Sequence, residues 1–326
     1  MNSLVSIIVP SYNKAEFIGE TIISVQNQTY NNWELIIIDD NSTDNSWELI
    51  KNNSNQDKRI RCFKNDSGKK GGSICRNIGI KKSKGEYLIF LDADDILIEK
   101  CLEQRISKIK NLDFAVFPMA IFKKNIGDTK ALWNNFSGNH LNRFLSHDLP
   151  WSVMMPLWRR DFLLSLQGFQ EDFPRLQDVE LHTRALLNRN ASYECFGEVK
   201  PDCFYRTDLN RRNEDPKIFV MKQVDGTLKY LNYFEQQLSS LGLTSKVKFL
   251  SITLFKSLNH IFYAKEQEEI SKEDSKYFID MLLSDKTSET ILNSKNKAIL
   301  SVYQKIKFCG IRFKGINLLF KSLLRL

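Results

Sequence analysis

The sequence is short of the residues that build metal cages and cross-links. It holds four histidines and six cysteines in 326 residues. The cysteines are Cys62, Cys75, Cys101, Cys195, Cys203 and Cys309, with no C-x-x-C pair among them. No zinc spacing results, and scattered thiols suit a reducing compartment better than a disulfide scaffold. No apolar run reaches the roughly 18–20 residues needed to span a bilayer. The run from Leu4 to Val9 has no basic lead and stops at Pro10, so the chain is expected to lack a secretion signal and to work in the cytoplasm. There is no internal repeat, no low-complexity tract and no recognised nucleic-acid-binding motif. Charge is in excess on one side only, with 47 Lys and Arg against 39 Asp and Glu. A positive balance suits an anionic partner such as a nucleotide or an acidic membrane face. Because it is dispersed, no nucleic-acid partner is expected.

What is present is a regular alternation. Strands are expected at "LVSIIVP" (4–10), "WELIIID" (33–39), "RIRCFKN" (59–65), "EYLIFLD" (86–92) and "LDFAVFP" (112–118). Helices are expected at 14–28, from Asp44 to about Ile50, and at 71–83. Near-continuous apolar strands alternating with helices predict an α/β fold, a mostly parallel sheet with helices on both faces. From about residue 213 the pattern turns helical, with candidates at 246–265 and 273–285. The expected domains are 1–212 and a helical C-terminal region, 213–326.

Carboxylates collect where the strands end. Asp92, Asp94 and Asp95 follow the fourth strand, Asp39 and Asp40 the second, and Pro10, Ser11 and Tyr12 leave the first. In such sheets ligands sit beyond the carboxyl ends of the strands. Two like charges about 4 Å apart repel by roughly 4 kcal/mol at an effective dielectric near 20, so the cluster calls for a cation. Alternation points Asp92 and Asp94 to one side, and Mg²⁺ or Mn²⁺ commonly joins carboxylates to phosphate oxygens. A solvated acidic turn, with Asp95 capping a helix, is the plain alternative.

Four motifs in order resemble the family 2 glycosyltransferases of GT-A fold: "VSIIVPSYNKAEFI", "ISVQNQTYNNWELIIIDDNSTD", "CRNIGIKKSKGEYLIFLDADD" and "QDVELHTRALL". The resemblance covers roughly residues 3–210. It implies transfer of a sugar from a nucleotide donor, here expected to be UDP-linked, to an acceptor hydroxyl, with inversion and Mn²⁺ or Mg²⁺. The acceptor is expected in cell-surface polysaccharide or lipid-linked oligosaccharide synthesis. By the same resemblance Tyr12 stacks on the base, with Pro10 and Ser11 shaping the turn. Asp40, of the Asp39–Asp40 pair, accepts a hydrogen bond from uracil. Arg76 contacts the nucleotide or steadies Asp92, with Cys75 in place of the family's alanine. Asp94 is the chief metal ligand, and Asp92 faces the ribose or supports the metal. Asp178 is the base, although Gln177 replaces the usual Glu and Asp178 also stands where a helix N-cap would. Glu180, Glu171 and Asp172 are the alternatives. His182, one turn on, could approach the metal or remain an ordinary polar residue. Arg206, Arg211 and Arg212 resemble a basic segment that closes over the diphosphate. Trp151 and Trp158 either stack on acceptor sugars or belong to the core.

Residues 305–326 carry six Lys and Arg and no acid, with apolar Ile316, Leu319, Phe320, Leu323 and Leu324 on one helical side. Such a helix lies in an anionic leaflet of the inner-membrane surface or packs on protein. Two other readings stand beside the transferase. A non-catalytic nucleotide-sugar-binding module keeps the pocket alone. A sugar-nucleotide pyrophosphorylase would need a glycine-rich phosphate loop that "PSYNKAEF" lacks.

Overall fold

A computed structural model describes residues 3–133, 135–207, 214–308 and 315–325. It divides into two compact units. The first comprises the described residues up to Gly138, Leu149–Glu171, and Glu180 to Thr207. The second comprises Asn139–Asp148, Asp172–Val179 and the described residues from Glu214 on. Two short segments upstream of the expected boundary at 213 group with the later helices.

The first unit contains strands β1 (Val5–Ser11), β2 (Trp33–Asp39), β3 (Ile60–Lys64), β4 (Tyr87–Phe90), β5 (Ile96–Leu97), β6 (Phe114–Val116), β7 (Met119–Phe122), β8 (Pro156–Arg159), β9 (Tyr193–Cys195) and β10 (Cys203–Arg206). Seven form one sheet, in the order β3-β2-β1-β4-β8-β6-β9. It is parallel except for β8, which runs antiparallel to β4 and β6. The remaining three form a small sheet, β5-β10-β7. This is the expected GT-A layout. The second sheet leaves no sequence signature, because strands of two to four residues carry almost no periodicity.

Helices α1 (Ile18–Gln26), α2 (Ser46–Gln56), α3 (Gly72–Lys82) and α4 (Cys101–Ile109) fill the crossovers. All of β2 is buried, as is β1 from Val5 to Val9, so both sheet faces are covered. Each buried Ile or Val there contributes roughly 1.5–3 kcal/mol. One core cluster joins Ile36 and Ile38 to Cys75 of α3, flanked by Phe63 and Ile78. The approach of α3 to β1 depends on Gly79, where an added Cβ would stand 2.3 Å from Ile8 Cγ2.

β4 ends at Phe90, opposite Ile8, whereas β1 runs on to Ser11 beside β2. Pro10, with no N–H to give, stands beyond the reach of β4. The chain after β4 turns sharply, Asp95 N donating to Asp92 O (3.1 Å). That turn opens the crevice at the carboxyl edge.

Short helices α5 (His140–Leu145) and α6 (Arg160–Ser165) precede α7 (Gln177–Leu187), whose first three residues group with the second unit. The second unit holds α8 (Pro216–Ser240), a 3-10 turn at Thr244–Phe249, α9 (Leu250–Glu266), α10 (Lys272–Ser284), α11 (Lys286–Ile291), α12 (Ser294–Phe308) and α13 (Ile316–Arg325). The apolar stripe of α13 is partly spent on protein. Ile316, Phe320 and Leu324 are buried, and Phe320 meets Tyr303 of α12 at 4.8 Å between ring centroids. Leu318 and Leu319 remain exposed. Among the described residues no helix is long and apolar enough to cross a membrane.

Candidate nucleotide and metal site

Three loops form the rim. Leaving β1 and β2, Asn13 and Asn41 take left-handed backbones (φ 50° and 60°), which a short amide side chain tolerates. The two loops are laced together. The Asn13 side chain donates to Thr43 Oγ1 (3.2 Å) and accepts from Thr43 N (2.8 Å). Lys14 N donates to Ser46 Oγ (2.8 Å) and Ala15 N to Asp44 Oδ2 (3.0 Å).

Asp39 is fully buried and accepts from Ser42 N (3.1 Å) and Ser42 Oγ, so it shapes the turn. Asp40 is nearly buried and accepts from Asn65 Nδ2 (2.6 Å) and from Gly71 N at the start of α3 (2.8 Å). A carboxylate has about four lone-pair sites, which leaves room for a ligand donor. Tyr12 is exposed, with the Lys70 ammonium 5.0 Å from its ring centroid. Ser11 Oγ is buried without a hydrogen-bond partner among the described residues. An orphaned hydroxyl is costly, and a polar ligand at this edge would relieve the cost.

Arg76, on α3, reaches Asp92 Oδ1 at 2.6 Å, which is the steadying contact of the two roles expected for it. Its neighbour Asn77 does other work, donating to Phe169 O (2.8 Å) and Glu171 Oε1 (3.0 Å). Cys75 replaces an alanine without gaining reactivity. Burial first, and then the charge of Asp40, push its thiol up to about 12, so it packs as a small hydrophobe.

Asp94 is 1% exposed, and its Oδ2 accepts from Lys14 Nζ at 2.6 Å. Lys14 was missed in the sequence. The available signal was a single cation in the turn after the first strand, facing carboxylates that needed one. Asp95 is structural, its Oδ1 accepting from Arg206 N (2.7 Å).

Arg206 differs from expectation. It ends β10, is 5% exposed, and donates to Asp94 O (2.9 Å) and Glu20 Oε2 (2.6 Å). It clamps the aspartate turn from behind instead of closing over a ligand. Arg211 and Arg212 lie outside the described residues.

Three further expectations move. His182 is buried, its ring stacked on Trp158 (5.8 Å, 11°) and edge-on to Trp151 (5.9 Å). Burial holds its pKa down at about 3, so it is a core residue and not a metal neighbour. Trp151 and Trp158 are fully buried and form that core, not a sugar platform. Glu180 is buried and paired with Arg184, which removes it as an alternative base.

Asp178 belongs to the segment grouped with the helical unit. It lies inside the first turn of α7 and not at its cap, because the helix already includes Gln177. Leu176, just before it, takes φ 64°. A side chain as large as leucine is strained there, and such strain collects at functional turns.

The donor set suits a divalent ion only in company. Among the described residues no three His, Cys, Asp or Glu side chains gather as a ready cage. Asp92 and Asp94 do share one turn, and Mg²⁺-type ions are often held by one or two carboxylates plus substrate phosphates. The fit is to an ion that arrives with a diphosphate.

A mostly parallel sheet with Ser11, Asp40, Arg76, Asp92 and Asp94 at its carboxyl edge defines an α/β protein of GT-A fold. Residues 6–160 match the Glycosyl transferase family 2 profile. Among curated relatives is the Escherichia coli "UDP-Glc:alpha-D-GlcNAc-diphosphoundecaprenol beta-1,3-glucosyltransferase WfgD", 41% identical over 124 residues, 37% of this chain and 48% of that protein. Another is the Staphylococcus aureus "Poly(ribitol-phosphate) beta-N-acetylglucosaminyltransferase TarP", 40% identical over 134 residues, 40% of each. The chain thus spans less than half the length of these relatives. Among solved structures, S. aureus TarS 1-349 in complex with UDP-GlcNAc superposes with a TM-score of 0.64 at 18% identity, covering 94% of this chain and 89% of that one. This likeness shows the fold.

Proposed function

We propose that the chain is an inverting, metal-dependent glycosyltransferase that moves a sugar from a UDP-sugar to an acceptor hydroxyl of a cell-surface or lipid-linked glycan. The observation that carries the reading is the meeting of Asp40, Arg76, Asp92 and Asp94 at one strand edge. A UDP donor is supported by the printed activity of WfgD and by the UDP-GlcNAc bound to TarS. The lipid-linked acceptor rests on the name of WfgD, and a polyol-phosphate polymer on that of TarP.

In this mechanism Tyr12 stacks on the uracil and Asp40 accepts its ring N–H. Ser11 adds the hydroxyl that has no partner among the described residues. Asp94 and Asp92 would hold Mn²⁺ or Mg²⁺, which when bound supplies Lewis-acid neutralisation of the diphosphate. Arg76 keeps Asp92 oriented, while Arg206 fixes the turn that carries both aspartates. Asp178 takes the proton of the acceptor hydroxyl as its oxygen bonds to the anomeric carbon and the bond to the diphosphate breaks. The exposed Leu318 and Leu319, on a helix within a basic tail, would dock on an anionic leaflet and bring the site to a lipid-linked acceptor.

The test is a panel of UDP- and GDP-sugars, with and without Mn²⁺, scored for hydrolysis and transfer, with the anomeric configuration of the product read by NMR. A UDP-sugar turned over only with metal, giving an inverted product, is expected. Turnover unaffected by Asp94→Asn would sink the assignment.

A further inference from the structure

Helix α9 carries Thr253, Lys256, Ser257 and His260, at i, i+3, i+4 and i+7. On an ordinary amphipathic helix this stripe would face water. Here Thr253 and Ser257 are buried, and the stripe lines a cavity of about 190 Å³ in the helical unit. Gln223 and Thr227 of α8 face it, and His147 closes it. Burying polar groups in this way is costly unless something satisfies them.

The cavity is built with care. His147 takes φ 50°, a left-handed backbone. The segment is pinned by Lys256 Nζ donating to His147 O, Thr253 Oγ1 to Leu145 O (2.7 Å) and Tyr230 OH to Phe144 O (3.2 Å). The hydroxyl protons of Thr253 and Thr227 are committed to main-chain carbonyls. Ser257 Oγ and His147 Nδ1 are buried with no hydrogen-bond partner among the described residues. Lys256 Nζ, which donates to His147 O, brings a positive charge to the cavity wall. Among the described residues no carboxylate lines the cavity. A pocket of hydroxyl, imidazole, amide and ammonium without an anion is complementary to one.

We propose that this cavity binds a phosphate-class oxyanion, held by Lys256 Nζ, Ser257 Oγ and the imidazoles of His147 and His260. A tetrahedral oxyanion fits the volume, and its oxygens accept from each of these donors. The site shares no residue with the donor crevice and does not depend on the transferase reading.

The test titrates full-length protein with inorganic phosphate and with glycerol 3-phosphate, by calorimetry and ³¹P NMR, with and without saturating UDP. Saturable binding that UDP does not displace is expected. Lys256→Met should weaken it at least about tenfold, and Ser257→Ala severalfold. Preference for glycerol 3-phosphate identifies a phosphomonoester group as the occupant, and preference for inorganic phosphate the free ion. Should Lys256→Met fail to fold, Ser257→Ala decides. No saturable binding of either probe, or binding unchanged in the folded variants, overturns the proposal.

Discussion

Lys14 Nζ lies 2.6 Å from Asp94 Oδ2, joining the turn after β1 to the turn after β4. The carboxylate is 1% exposed and the lysine side chain 27%. A buried aspartate is therefore already neutralised before any divalent ion arrives. A divalent ion held by Asp94 as proposed would compete with Lys14 for the same oxygen.

Removing the lysine should expose that competition. Breaking a buried pair from one side costs about 3–5 kcal/mol, and the partial exposure of Lys14 places Lys14→Met nearer 2. The variant should melt lower than the parent without metal, and Mn²⁺ should raise its melting temperature more than it raises the parent's. Equal metal responses in thermal-shift assays would show that Lys14 does not guard Asp94.

Asp94 and Asp178 should fail differently. Asp94→Asn should weaken UDP binding and abolish the metal dependence of turnover. Asp178→Asn should leave UDP affinity within about twofold while transfer falls by roughly 10²–10⁴, the usual contribution of a positioned base. Calorimetry with UDP, paired with transfer assays, separates the two.

Gly79 tests the packing of α3 on β1. An alanine there puts Cβ 2.3 Å from Ile8 Cγ2, and overpacking of this kind costs about 1–3 kcal/mol. Gly79→Ala should lower the urea midpoint. Because α3 carries Arg76 and begins beside Asp40, UDP affinity should fall with it.

His182 sets an acid sensitivity. Its folded pKa, about 3 by burial, lies below the ordinary 6.5. Between those values the unfolded chain binds a proton that the folded chain refuses, so stability rises with pH across that window and is lost as pH falls through it. Unfolding free energies at pH 7 and 5.5, where most carboxylates stay charged, should differ by about 1 kcal/mol from this group. His182→Phe should remove that share of the difference while keeping the stack on Trp158, and the share of His147, whose pKa burial lowers to about 4, should remain.

Much of this was legible beforehand because large apolar strands with aspartates at their ends leave a strong local trace. β1, β2, β4 and the rim they carry follow directly from "VSIIVP", "ELIIID" and "YLIFLD". What escaped was set by tertiary packing. By the family resemblance Arg206 is expected as a mobile phosphate ligand, yet the main-chain and carboxylate groups it clamps come from residues more than a hundred positions away. His182 looks polar in sequence, and only the fold surrounds it with tryptophans. The helical unit recruits Asn139–Asp148 and Asp172–Val179, which no composition shift announces.

The bonds from Asn13, Lys14 and Ala15 to Thr43, Ser46 and Asp44 have a consequence for inheritance and for engineering. Two stretches some thirty residues apart behave as one exchangeable cassette. Swapping either alone for a relative's version would strand donors and acceptors on the other, so changes of base preference should travel through both together or through neither.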